Sequence, residues 1–168
     1  MKNTKRLLTW ILVAVLVVMS IALVACVDKP EPVQLTDLTL PELKSNQMAV
    51  IIKNGDNDYT SYVVTLGKGG TNATTAEGVL AYLEKESDLT IEWIESDYGK
   101  YINSIGKAKP TADGEYVEVF TSVESDMGTW AGVNTYLVGE IEIKSAAVGV
   151  TQLSVEAGAI IYFQISVY

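Results

Sequence analysis

The chain has 168 residues, with 12 basic and 21 acidic side chains, a net charge of −9 and no histidine. That balance disfavours nucleic acid and anionic lipid as partners, because both select clustered Lys and Arg. The missing histidine removes the commonest general base and the commonest transition-metal ligand together, so most hydrolase mechanisms are excluded and neither a cofactor nor a metal site is expected.

The first 25 residues read as an export signal in its three parts. Lys2, Lys5 and Arg6 make a positive start, Leu7 to Val24 is apolar apart from Thr9 and Ser20, and Leu23-Val24-Ala25-Cys26 closes the segment. That ending is a lipobox: small residues suit the peptidase, and the thiol of Cys26 is the nucleophile that takes the diacylglyceryl group. An apolar run of roughly 18 residues can also just span a bilayer as an uncleaved anchor. The cysteine behind a small residue at the foot of the run favours lipoprotein export. The expectation is an extracytoplasmic protein held to the bacterial cell membrane by lipid on Cys26. Since this is the only cysteine, no thiol remains for a disulfide, a redox couple or a metal.

Cleavage before Cys26 leaves 143 residues, enough for one domain. Removing Lys2, Lys5 and Arg6 leaves nine basic residues against 21 acidic ones, a net charge of −12. Residues 26–47 read as the lipidated cysteine and an extended tether, with Pro30, Pro32 and Pro41 and no sustained period. Residues 48–168 read as the domain.

Met48 to Lys53 and Tyr59 to Leu66 are β-branched and aromatic runs around Asn54-Gly55-Asp56-Asn57-Asp58, which predicts a hairpin. The Asp and Asn cluster lacks the spacing and distal Glu of an EF-hand loop, so it reads as turn chemistry. Gly67-Lys68-Gly69-Gly70 lacks the Gly-Lys-Ser/Thr ending of a phosphate loop. A helix is predicted from Thr75 to Glu86: Thr74 and Glu77 have capping-box spacing, and Ala76, Val79, Leu80 and Leu83 form one apolar stripe.

Beyond the helix the chain reads as β. Leu89, Ile91 and Trp93 share a strand face, Tyr101 to Ile105 follows the turn at Asp97-Tyr98-Gly99, and Tyr116 to Val123 is the next strand. Leu137 to Lys144 reads as one alternating strand, with Leu137, Ile141 and Ile143 inward and Val138, Glu140, Glu142 and Lys144 outward. Ile160 to Tyr168 is apolar on both faces and should be central. One helix against many short strands gives the expected fold class, α+β with a mainly antiparallel sheet and one packed helix.

Thr75-Ala76-Glu77-Gly78-Val79-Leu80, followed by Ser96-Asp97-Tyr98-Gly99-Lys100-Tyr101-Ile102-Asn103-Ser104-Ile105, resembles the domain of unknown function that is similar to the C-terminal β-domain of transcobalamin. The resemblance covers about Met48 to Val167, and Gly149 to Phe163 looks like the family's closing element. It implies a β-grasp-like fold and small-ligand binding, with a corrinoid or another flat nutrient as the ligand. Two departures stand out: Glu115 to Ser122 replaces a Trp-rich strand, and Ala159 follows Gly158 where the family has an acidic residue.

The residues that could form a binding surface are the aromatics Trp93, Tyr98, Tyr101, Trp130 and Tyr136. Trp130 lies in the glycine-flanked loop Ser125 to Gly132, either as a platform for a flat ligand or as a lid folded back on the core. Trp93 and Tyr101 fall within strands, where aromatics are simply good sheet formers. The acidic set Glu92, Glu95, Asp97, Glu124 and Asp126 reads as a solvated face more than a cation site. The leading functional reading is a non-catalytic surface lipoprotein that captures a small ligand for a nearby transporter. The alternative is an adhesive or structural module whose partner is a protein, a glycan or the cell wall. A paired-carboxylate enzyme has no spacing that selects two residues.

Overall fold

The computed structural model describes residues 32–97 and 99–168. The export segment, Cys26 and Tyr98 lie outside the described residues. Nine strands and one helix follow in chain order: β1 (Val33–Gln34), β2 (Gln47–Gly55), β3 (Asp58–Thr65), α1 (Ala76–Glu86), β4 (Ile91–Ser96), β5 (Gly99–Ile105), β6 (Glu115–Thr121), β7 (Thr135–Val138), β8 (Ile141–Ser145) and β9 (Ile160–Val167). Seven strands form one sheet in the order β1-β7-β8-β6-β9-β2-β3, and β4 and β5 pair as a separate hairpin.

The closing strand organises the sheet. β9 is buried over Ile160, Ile161, Tyr162 and Phe163, so it lies between β6, antiparallel, and β2, parallel. Its alternate side chains feed two cores. Ile161 and Phe163 join Met48, Val50 and Ile52 of β2 under Val79, Leu80 and Leu83 of α1, together with Ile102 and Ile105 of β5. On the opposite face Ile160 and Tyr162 join Ala49, Ile51, Phe120, Val138 and Ile143.

The fold is mostly β, which corrects the expected helix-packed α+β, β-grasp-like class. α1 has only 11 residues, and the face it covers is shared with the β4–β5 hairpin and with Val150 and Leu153. Among the described residues no helix covers the other face, where Leu35, Leu38, Leu40 and Leu43 pack instead. Residues in the expected tether are thus part of the domain: Val33 and Gln34 pair in parallel with Tyr136 and Leu137, and Leu38 is buried. Their leucines, at spacings of three, two and three, keep neither a helical nor a strand period.

Other local differences have local causes. The side chain that caps α1 is Thr75, which accepts the Gly78 N–H at 3.4 Å, one residue beyond the predicted Thr74. The single strand expected over Leu137 to Lys144 is two, because Gly139 takes φ +63° and turns the chain between β7 and β8. Val138, expected on the wet side, is fully buried. The hairpin of β2 and β3 stands in the predicted place, with Asn57 at φ +56° in its turn.

Candidate functional site

Strand β6 is paired along its whole length with β9, from Glu115 with Val167 to Thr121 with Ile161. Its other edge is not. β8 meets it only at Phe120 with Ser145 and Thr121 with Lys144, and the Ala146 N–H adds one bond to the Val119 carbonyl at 2.8 Å. Beyond that point the chain leaves β6, and the first half of β6 borders two hollows.

The larger hollow, about 670 Å³, lies between the first half of β6 and the β4–β5 hairpin. Its apolar lining is Val117, Val119, Ile102 and Val150, and Tyr101, Tyr116 and Tyr168 add aromatic surface. Tyr116 and Tyr168 stack with ring centroids 4.5 Å apart, and Tyr101 is half exposed. Two opposite charges complete the lining. Lys100 bridges Glu77 at 3.2 Å and Glu95 at 3.6 Å, and its hydrogen bond to Glu77, with the charges of Glu77 and Glu95, raises its pKa. Glu115 accepts the N–H groups of Thr111 and Ala112, which hold its carboxyl below the usual carboxylate range.

The smaller hollow, about 260 Å³, adjoins the same strand and is lined by Tyr116, Glu118, Trp130, Ser145 and Val148 among others. Trp130 is 51% exposed and its ring lies directly over Gly128, where an added Cβ would come within 2.4 Å of two ring atoms. Glu118 is only 8% exposed. Its Oε1 accepts from Asn134 at 3.1 Å and Ser145 at 2.5 Å, and its Oε2 from Asn134 at 3.1 Å and Ser166 at 2.5 Å. Burial and the negative charge of Glu118 raise the Tyr116 pKa.

The aromatics singled out from sequence do not form one platform. Tyr101 lines the large cleft and Trp130 the small hollow. Trp93 is half-buried on the hairpin, where its indole N–H donates to Glu84 at 3.2 Å and Lys100 sits 6.0 Å from its ring centre. Tyr136 belongs to the second core, 5.2 Å from Phe120 and 6.3 Å from Tyr162, and its hydroxyl accepts from Gln164 at 3.1 Å. Tyr98 is outside the described residues. Sequence reasoning missed Tyr116, Glu118 and Tyr168. A signal existed for Glu118, an acidic residue inside the apolar alternation of β6, because burying a carboxylate is costly unless it is hydrogen-bonded.

The acidic set does not converge either. Glu92 accepts from Ser104 at 3.2 Å and Asp126 accepts the Ser154 N–H at 2.6 Å. Among the described residues no group of three His, Cys, Asp or Glu side chains is arranged to hold a metal ion.

No protein-family model matches the chain, and no curated protein matches it. Among solved structures it is similar to a candidate metal-binding protein from Ruminococcus gnavus, at 15% identity and a TM-score of 0.47, over 73% of this chain and 98% of that one.

Proposed function

We propose that this chain is a lipid-anchored extracytoplasmic protein that binds a small ligand in the cleft between β6 and the β4–β5 hairpin, and that it is not an enzyme. The observation that carries this reading is the cleft itself. Its volume of about 670 Å³ falls in the range typical of small-molecule sites, about 300 to 1,000 Å³. Its apolar floor, three tyrosines and two opposed charges suit a flat, weakly polar ligand. The corrinoid and a partner transporter rest on the sequence resemblance alone, and lipidation and membrane attachment rest on the lipobox ending in Cys26.

The test is a titration of the full chain, purified in a maltoside detergent, with cobinamide and with soluble oligosaccharides, read by calorimetry. A saturable heat that disappears in Gly149→Trp, at a position that lines the cleft and not the smaller hollow and where an added Cβ meets nothing within 4 Å, supports the reading. Binding that survives Gly149→Trp places the ligand elsewhere and overturns it.

One observation favours a second reading, an adhesive module that adds a partner's strand. The Val119 carbonyl accepts from Ala146 on the β8 side of β6, so by the two-residue period of a strand the main-chain groups of Val117 face the same edge, beyond the point where β8 departs. An extended peptide could pair there. Calorimetry separates the two readings, because an added strand needs a peptide with free main-chain N–H groups and is lost when these are N-methylated, whereas the cleft reading needs only a small ligand.

A further inference from the structure

The buried carboxylate of Glu118 has no part in the cleft reading, and its surroundings are unusual in charge. Its partners are two hydroxyls and an amide, and among the described residues it forms no ion pair. Lys144, on the neighbouring strand β8, pairs with Glu142 at 2.8 Å. Strand alternation puts Lys144 on the face opposite Ser145, which reaches Glu118. The lining of the small hollow contains no basic residue. A charge of this kind, removed from water and lacking a counter-ion, favours a cation brought from outside.

The hydrogen bonds select which cation. A carboxylate offers about four acceptor positions, and here four donor contacts are already made, two on each oxygen. A primary ammonium would need acceptors that are taken. A bare divalent metal would need oxygen ligands that are not gathered, since among the described residues no set of three acidic or similar ligands converges. A cation with no N–H groups loses nothing in that environment and still gains the charge. The rest of the hollow suits it. The half-exposed indole of Trp130 and the ring of Tyr116 line the same space as Glu118, and aromatic faces attract an alkylated cation without hydrogen bonds. We propose that the hollow of Glu118, Trp130 and Tyr116 binds a quaternary ammonium group. The volume of about 260 Å³ suits a head group rather than a whole drug-sized molecule. The net charge of −9 on the chain draws cations towards it.

The proposal does not depend on what occupies the large cleft. Its test is calorimetric titration of the full chain in a maltoside detergent with three probes: choline, ethanolamine, and 3,3-dimethylbutan-1-ol, the uncharged isostere of choline. The expected result is saturable binding of choline, with both other probes weaker by about tenfold or more. Glu118→Gln keeps the shape and removes the charge, and should weaken choline about tenfold. Trp130→Leu, at a half-exposed position, should do the same and stands as the control if Glu118→Gln fails to fold. An absence of choline binding overturns the proposal, and so does an equal response to the uncharged isostere. Choline binding that survives Trp130→Leu and is lost only in Gly149→Trp, at a position that lines the large cleft and not the small hollow, would move the cation to the large cleft and overturn it as well.

Discussion

The carboxylate of Asp126 accepts the main-chain N–H of Ser154 at 2.6 Å, joining the short 3₁₀ turn Glu124–Asp126 to the segment that runs beside the N-terminus of α1. The neighbouring Thr75 bridges to Ser154, and the Ala76 N–H donates to the Leu153 carbonyl at 2.8 Å. One side chain thus ties the loop that carries Trp130 to the helix. Partial burial pushes the Asp126 carboxyl up, but hydrogen bonds from Ser154 and Ser125 outweigh it and hold the carboxyl below the usual carboxylate range. A depressed folded value contributes stability that is complete above the unfolded value of about 3.9 and is lost as pH falls through the folded one. Asp126→Asn should therefore lower the thermal midpoint at neutral pH. The gap between the variant and the parent should close below about pH 3.9, measured by circular dichroism melts across pH.

Leu80 of α1 is 1% exposed and packs in the core shared with β2 and β9. Leu80→Ala should cost about 2 to 5 kcal/mol, the range for a truncation that leaves a cavity in a core unable to collapse. Urea unfolding of the two chains measures it through the shift in midpoint at constant slope.

The parts of the fold that were legible in the sequence are those where one period persists in a single run. The α1 stripe of Ala76, Val79, Leu80 and Leu83 is buried as predicted, and the apolar run of β9 is central in the sheet. The fold class was not legible, because it depends on which strand enters between which others. Nothing in the residues 160–167 announces a parallel pairing with β2 rather than a further antiparallel hairpin. The site was less legible still. Val117 and Val119 look like ordinary core residues of a strand, and only the early departure of β8 opens a cleft over them. Tyr136 reads from sequence as a surface aromatic, whereas pairing with β1 and β8 places it against Phe120 and Tyr162.

Gly128 holds the position of Trp130. An added Cβ would lie 2.4 Å from Cη2 and Cζ3 of the indole and 2.9 Å from the Ser145 carbonyl oxygen. The indole is a rigid plane and the carbonyl is fixed in the bond it accepts from the Gly128 N–H at 2.8 Å, so neither can give way cheaply. Gly128→Ala should displace Trp130 from the hollow, with a stability loss of about 1 to 3 kcal/mol typical of overpacking. Tryptophan emission in a background of Trp10→Phe and Trp93→Phe isolates Trp130 and should shift to longer wavelength as the ring enters water. An unchanged spectrum would mean that the loop moves as a unit and keeps the ring in place.

The last prediction concerns Cys26, which lies outside the described residues and is argued from sequence alone. A positive start, a long apolar run and Leu23-Val24-Ala25-Cys26 are arranged in the order a lipoprotein signal requires. The chemistry depends on sulfur: the thiol is alkylated by the diacylglyceryl group first, and the peptidase then cuts before the modified residue. A hydroxyl is a far weaker nucleophile and would not be alkylated, so Cys26→Ser should block both steps. In a bacterial host fed a labelled fatty acid, the parent chain should incorporate label and run as the shortened form. Cys26→Ser should carry no label and accumulate as precursor. One acyl chain binds a membrane only marginally, whereas two hold it stably, so the parent should sediment with membranes after a high-salt wash that would strip a charge-bound protein. Cleavage and membrane retention of Cys26→Ser equal to the parent would show that the apolar segment is processed or held by another route, and the lipid anchor would be withdrawn.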